Sequence, residues 1–280
     1  MMTEPAFAPT TWRLIRSQPE VGAWNMALDE AILEAVRRKE SPPTLRLYAW
    51  QPPCLSIGYS QCAADVDQDA IDRAGWHLVR RPTGGRAILH TDELTYSVIA
   101  PLDEPRVAGS VLASYRRLSL ALVAALRIMG IAVQAEEEYP HALKTNSGGP
   151  VCFDVPSNYE ITTLGKKLIG SAQARRTAGV LQHGSLPLCG DLTRIIQGLC
   201  FADDIARQTA AQHLLDRATT AAMLLNRAPD WNQAANAFVL GFSQALNLTF
   251  EEQAPTPDEI KRAGELAVEK YAADRWTYRL

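Results

Sequence analysis

The sequence predicts an α+β chain of mixed α/β character, with one main mixed sheet flanked by helices. Three observations carry this. A helical stretch near residue 24 precedes several short apolar runs. A long helix over 109–130 separates those runs from a meander of further strands. From about Phe201 the pattern is helical to the end. No long linker, low-complexity run or internal repeat breaks the 280 residues.

Trp24, Ala27, Leu28, Ala31, Ile32, Ala35 and Val36 recur at three- and four-residue spacing, with Asp29, Glu30, Arg37 and Arg38 between them, as an amphipathic helix requires. TLRLYAW (44–50), CLSIGYS (54–60) and WHLVR (76–80) read as strands. QPP separates the first two, and a polar helical DVDQDAIDRAG precedes the third. AILHTDELTYSVIAP (87–101) contains two more strand-like runs joined by polar residues. GSVLASYRRLSLALVAALRIMG (109–130) is a helix ending at a glycine stop. IAVQAE (131–136) resumes strand character, and 158–188 reads as a meander turning at Leu164-Gly165 and Ala178-Gly179. Pro257-Asp258 opens a terminal helix. The expected division is a catalytic domain over 1–250 and a helical extension over 251–280.

Composition excludes several classes. With 47% hydrophobic and 21% charged residues and a net charge of −3, the chain reads as soluble and globular, with no basic surplus for nucleic acid. No window approaches the roughly 20 apolar residues of a membrane span, and the N-terminus lacks a secretory signal. A cytoplasmic protein is expected, acting as a monomer, although the sequence itself leaves oligomeric state open. The five cysteines are odd in number and contain no C-x-x-C pair, so neither a disulfide framework nor a metal site is expected. Each cysteine is expected to be a small buried hydrophobe unless its neighbours argue otherwise.

Four segments carry candidate chemistry. RRPTGGRAILH (80–90) sets three arginines around adjacent glycines. It lacks the lysine, Ser/Thr and following helix of a P-loop, and it does not fit a dinucleotide fingerprint. A tight strand-to-strand turn with positive φ at Gly84 and Gly85 is about equally supported, while the arginines favour an anionic or carbonyl ligand held against backbone. In SGGPVCFDVPSNYE (147–160), Cys152 follows a Gly-Gly-Pro loop. A packed cysteine is the plainer reading there. In GKKLIGSAQARR (165–176), strand alternation puts Lys167, Ile169 and Ser171 on one face and Leu168 and Gly170 on the other. A lysine on the inner face would be desolvated; on a sheet edge it would be a solvated guard. His183, in LQHGSLPL, is either a hydrogen-bonded core residue or a site residue.

In this order, RRPTGGRAILH, CFDVPSNYE, GKKLIGSAQARR and LQHGSLPL resemble the lipoate–protein ligase A/B and biotin–protein ligase superfamily. The resemblance runs from about Trp24 to the C-terminus. The ligase branch typically reads RR-x-(S/T)-GGG; here Arg86 stands at the third glycine, and a cysteine sits in the CFD context. Both features, with EKYAADRWTYR near the end, resemble the octanoyltransferase branch of the ligase-A-like enzymes.

The resemblance implies the lipoate/biotin ligase catalytic fold and a reaction. An octanoyl group passes from octanoyl-acyl carrier protein, through a cysteine thioester, to a lysine of a lipoyl domain such as glycine cleavage H protein or an E2 subunit. The nucleophile falls on Cys152. The lysine that lowers its pKa and serves as general acid and base falls on Lys167. Substrate contacts fall on Arg80, Arg81, Thr83, Gly84, Gly85, Arg86, Gly170, Ser171, Ala172 and His183. No cofactor is expected, since a thioester donor is already activated and needs neither ATP nor magnesium. The runner-up activities are an ATP-dependent lipoate–protein ligase and an amidotransferase between lipoyl domains. A non-catalytic binder of carrier proteins and a cysteine protease using His90, His141 or His183 are the remaining alternatives.

Overall fold

The computed structural model describes residues 7–135, 161–176 and 179–280. In chain order its elements are β1 (Thr10–Arg16), α1 (Gly22–Arg37), β2 (Thr44–Tyr48), β3 (Cys54–Ile57), α2 (Gln68–Arg73), β4 (His77–Arg80), β5 (Ile88–His90), β6 (Glu93–Pro101) and α3 (Val111–Ile128). They continue with β7 (Gln134–Ala135), β8 (Ile161–Thr163), β9 (Lys166–Arg176), β10 (Gly179–Pro187), α4 (Asp204–Arg217), α5 (Ala221–Leu225), α6 (Trp231–Leu246), β11 (Leu248–Glu252), α7 (Pro257–Leu266) and α8 (Asp274–Thr277).

The main sheet has eight strands in the order β11-β1-β2-β6-β10-β9-β8-β7. β11, β1 and β2 run parallel, and the pairs from β2 to β7 are antiparallel. The sheet is therefore mixed, as expected. A second sheet of three strands, β4-β3-β5, stands apart from it. It forms from three runs that the sequence predicts as strands but assigns to one sheet.

Strand alternation sends side chains to two different cores. Trp12, Leu14, Leu45, Leu47, Tyr96 and Val98 pack beneath α3 and α6. Ile15, Ile99 and Leu181 pack beneath α1 and α7 with Met26, Ile32 and Leu266. Burying each large apolar side chain contributes about 1.5–3 kcal/mol, so a sheet covered on both faces is the main source of stability. A third cluster joins Leu55 and Ile57 of the small sheet to Ile71, Ile195, Leu199 and Leu214.

Local signals set the helix ends. Ser110 caps α3 by accepting from the Ala113 amide, and Gly130 follows the helix at φ 86°, the predicted glycine stop. Thr256 and Glu259 form a capping box around Pro257, which opens α7 as expected. Glu259 also receives two bonds from Arg13 on β1, at 2.7 and 2.9 Å, in a fully buried pair that fastens α7 over the sheet. β11, over Leu248–Glu252, spans the expected boundary between residues 250 and 251.

Several readings need correction. β1 is absent from the sequence reading; its arginines obscure a strand whose central four residues are buried. Within 131–135 only Gln134 and Ala135 are strand, and Glu136 lies outside the described residues. Asp29 interrupts the apolar positions of α1 yet is completely buried. Cys54 is buried, but Cys62 and Cys200 are exposed and Cys189 is intermediate, so the small-hydrophobe expectation holds for Cys54 alone of these four. Among the described residues no helix is long and apolar enough to cross a membrane.

Candidate active site

A cavity of about 600 Å³ opens between the β9–β10 face of the main sheet and the Gly-Gly segment that leaves the small sheet. Its size lies within the usual ~300–1,000 Å³ of small-molecule sites. Arg81, Gly84, Gly85 and Arg86 line one side. Lys167, Gly170, Ser171, Ala172 and His183 line the other. Nine of the twelve sequence-predicted site residues are thus brought around one space. Of the remaining three, Thr83 stands just behind the wall, Arg80 lies elsewhere, and Cys152 lies outside the described residues.

The inner wall rests on a buried ion pair. Asp29 of α1 accepts from Arg46 Nη1 at 2.8 Å, from Tyr48 Oη at 2.9 Å and from Ser97 Oγ at 2.9 Å. Arg46 also donates to Asn25 Oδ1 at 2.6 Å and to Ser17 Oγ at 3.0 Å, and its guanidinium lies 4.0 Å from the Tyr48 ring centre. Burial pushes the Asp29 carboxyl up, but Arg46 and His183 outweigh it and hold it below its ordinary value. His183 stands with Nδ1 3.9 Å from Asp29 Oδ2, beyond direct hydrogen-bond reach. Its Nε2 is 2.5 Å from Thr83 Oγ1. Burial lowers the His183 pKa, so the ring is neutral at pH 7. It is at once a hydrogen-bonded core residue and part of the cavity wall.

A second network lies deeper. The His90 ring stacks on Trp50, with centres 3.9 Å apart and planes 11° off parallel. His90 Nδ1 is 2.6 Å from Glu93 Oε1, and its Nε2 is 2.6 Å from Ser56 Oγ. Glu93 accepts further bonds from Thr95 and Ser185. Burial raises the Glu93 carboxyl, but His90 and these hydroxyls more than compensate, and its pKa falls below the ordinary value. Trp50, His90, Thr95 and Ser185 all reach the cavity, whereas Glu93 does not line it.

The Gly-Gly segment is neither a P-loop nor a hairpin. β4 and β5 flank β3 on opposite sides, so the segment crosses the end of β3. Of its two glycines only Gly85 has positive φ, at 91°. A Cβ on Gly58 would lie 1.8 Å from the Gly85 carbonyl, so the segment and the end of β3 approach as only glycine allows.

Adjacent residues of a strand face opposite ways, and the two leading arginines obey this. Arg81 turns inward: Nη1 donates to the Ser56 carbonyl and to Ser56 Oγ, both at 2.7 Å, and Nη2 donates to the Gly84 and Arg86 carbonyls at 3.0 and 2.9 Å. It shapes the loop from beneath. Arg80 turns away and does not line the cavity. It donates to the Thr277 carbonyl at 2.6 and 2.9 Å, to Gly58 at 2.9 Å and to Gln61 at 2.6 Å. Trp276 Nε1 returns a bond to the Arg80 carbonyl at 2.9 Å. The substrate contact expected of Arg80 is therefore corrected to an anchor for the segment around residues 276–277.

On β9 the expected alternation fails locally. Pairing with β8 shifts register between Ile161 and Thr162, so Lys167 faces Thr162 while Ile169 faces Ile161. Lys167 and Ser171 line the cavity, but Ile169 joins Leu168 in the apolar core. Lys167 is only 5% exposed, which excludes a solvated edge guard. Its backbone is clamped by the Thr219 amide, which donates to the Lys167 carbonyl at 3.0 Å. Ser171 Oγ meets Tyr96 Oη at 2.7 Å, and Tyr115 Oη donates to the Ser171 carbonyl at 3.3 Å.

Sequence reasoning missed Asp29, Arg46, Tyr48, Trp50, Thr95 and Tyr115. One usable signal exists for the first two: TLRLY places an arginine on the polar alternate face of a strand, and α1 carries Asn25 and Asp29 one turn apart. Nothing local identifies the others.

Comparison with known proteins gives concordant results. Residues 22–243 match the model of the lipoyl protein ligase A/B catalytic domain. Octanoyltransferase LipM of Kyrpidia tusciae is 42% identical over 273 residues, covering 96% of this chain and 99% of that protein. Octanoyltransferase LipM of Bacillus subtilis is 36% identical, covering 96% and 98%. Among solved structures, the bipartite lipoate protein ligase of Thermoplasma acidophilum superposes with a TM-score of 0.78 at 27% identity, covering 96% of each chain. A lipoate-protein ligase A bound with ATP also gives 0.78, at 26% identity, covering 96% of this chain and 99% of that one.

Proposed function

The chain belongs to the lipoyl protein ligase A/B catalytic-domain family, and from that premise we propose that it is an octanoyltransferase of lipoate biosynthesis. The donor is octanoyl-acyl carrier protein, and the acceptor is a lysine of a lipoyl domain such as glycine cleavage H protein. The observation that carries this reading is Lys167. It is a buried lysine opening into a cavity that, among the described residues, no carboxylate lines. A cation there favours an anion beside it, and a cysteine thiolate is the anion that acyl exchange requires.

The reaction runs in two halves. Cys152 Sγ, as thiolate, attacks the octanoyl carbonyl; the bond from that carbon to the carrier's sulfur breaks, and the departing thiolate takes its proton from the Lys167 ammonium, which is left as a neutral amine. The neutral amine of the acceptor lysine then attacks the cysteinyl thioester. A C–N bond forms, the C–S bond to Cys152 breaks, and the amine's proton passes to the protein. Lys167 stabilises the thiolate in the first half and accepts the proton in the second. Gly84, Gly85, Gly170, Ser171 and Ala172 supply backbone against which the acyl carbonyl lies. Free thiols are only a few per cent ionised at neutral pH, which is why the lysine matters.

Incubation with octanoyl-acyl carrier protein, without ATP, is expected to give a hydroxylamine-sensitive octanoyl adduct by intact mass. Cys152→Ala forms no adduct, and Lys167→Met slows transfer by about 100-fold or more. Full transfer by Cys152→Ala would overturn the reading. A strict requirement for ATP would favour a ligase, as the ATP-bound relative invites. Transfer only from an octanoylated lipoyl domain would make the enzyme an amidotransferase.

A further inference from the structure

We propose that Arg86 is the receptor for the phosphate of the donor's phosphopantetheine arm, and that it makes the enzyme select donors carrying that phosphate. This rests on the octanoyltransferase reading above and names the part of the donor that the rim of the same cavity recognises.

The argument starts from charge. Three cationic residues line the cavity, Arg81, Arg86 and Lys167, and among the described residues no carboxylate does. The chain as a whole is acidic, at −3, so this is a local choice. The octanoyl thioester is neutral and explains none of these charges except Lys167, which the thiolate uses. Arg81 is committed from beneath the loop, with four bonds to Ser56, Gly84 and Arg86. Arg80, also expected to meet the carrier arm, faces away and anchors residues 276–277. That leaves Arg86.

Arg86 has the position and the freedom the role needs. It is half-buried, between the exposed Gly84 and Gly85 and the buried Ala87, so it sits at the cavity rim. Among the described residues its guanidinium makes no ion pair and no hydrogen bond, while its backbone carbonyl is pinned by Arg81 at 2.9 Å. The main chain is fixed and the side chain is uncommitted. Among the described residues no atom lies within 4 Å of the position a Cβ would take on Gly84, so the loop offers open space beside the arginine. A guanidinium recognises a phosphate through paired charge-assisted bonds, and partial burial protects that contact from screening. The thioester end of a phosphopantetheine arm belongs at Lys167, and its phosphate emerges at the rim where the carrier begins.

The test compares octanoyl-4′-phosphopantetheine with octanoyl-pantetheine, thioesters that differ only in the phosphate. Wild type is expected to prefer the phosphorylated donor in kcat/KM by about 10- to 100-fold. In Arg86→Gln the ratio falls to near one, and Arg86→Lys keeps an intermediate preference because a point charge lacks the planar fork. Coenzyme A and carrier protein share this phosphate. Octanoyl-CoA and octanoyl-acyl carrier protein, run in parallel, are both expected to lose to Arg86→Gln. A loss confined to the carrier protein means that Arg86 reads the protein's surface, and overturns the proposal. So does an unchanged ratio, or a wild type indifferent to the phosphate. Should Arg86→Gln fail to fold, free 4′-phosphopantetheine and pantetheine are compared as inhibitors of wild type, and equal potency overturns it. Transfer from none of the four donors would instead sink the transferase reading itself.

Discussion

Replacing Asp29 by Asn removes one charge and almost no volume from the wall behind His183. Asp29 and Arg46 are both inaccessible to solvent, and their contact is 2.8 Å. Deleting one partner of such a buried pair leaves the other charge uncompensated and costs about 3–5 kcal/mol. For a chain of this size each kcal/mol moves Tm by roughly 2–4 °C, so Asp29→Asn is expected to melt roughly 10 °C below wild type. Arg46→Met is expected to cost as much or more, because it also strands the Asn25 amide oxygen that now accepts at 2.6 Å. The decisive measurement is the double-mutant cycle by urea unfolding at pH 7, where Asp29, with a pKa held below 3.8, is fully ionised. The double variant should be less destabilised than the sum of the singles by about 2 kcal/mol or more. Additivity within about 0.5 kcal/mol, or an Asp29→Asn penalty under about 1 kcal/mol, would refute the claim that this pair supports the wall.

Two further outcomes follow from the geometry. Gly58→Ala forces a Cβ to 1.8 Å from the Gly85 carbonyl, whereas a Cβ on Gly84 meets nothing within 4 Å among the described residues; the first is expected to lower Tm by several degrees and the second to leave it nearly unchanged, read by circular dichroism. Glu259 has its pKa held below 4.5, since Arg13, the Thr256 amide and Ser41 outweigh burial; its stabilisation is complete above about pH 4.5 and is lost as pH falls through the folded value. Glu259→Gln should therefore flatten the acid limb of the stability curve, and an unchanged limb would count against it.

The sequence carries the elements well where periodicity is strong. α1 and α3 follow directly from apolar spacing, the β8–β9 turn from Leu164-Gly165, and α7 from Pro257 with its cap, while Ala178 of the other expected turn lies outside the described residues. The site is legible where short motifs are local, as at Gly84-Gly85 and Gly170-Ser171-Ala172. It is not legible where meaning depends on a distant partner. Asp29 belongs to the interior because Arg46 waits on a strand seventeen residues later. Arg80 and Arg81 look equivalent in a string of letters, although strand alternation allows only one of them to face the cavity. Ile169 defeats simple alternation because a register shift, set by pairing with β8, intervenes between Lys167 and Ile169.

The position of β1 has a consequence in time. It lies between β2, its near neighbour in the chain, and β11, whose Leu248 stands opposite Thr10. The β1–β2 pair closes a short loop, but the β1–β11 pair must bring together segments separated by nearly the whole polypeptide. Closing so long a loop gains nothing until the last contacts form. The main sheet is thus expected to assemble first from its locally paired strands, β1 with β2 and β8 with β9 and β10, with β11 docking late. During synthesis β1 presents an open edge until β11 has emerged. Arg13, buried only once Glu259 arrives in α7, sits on that waiting strand, and a charge there discourages pairing with other chains in the interval.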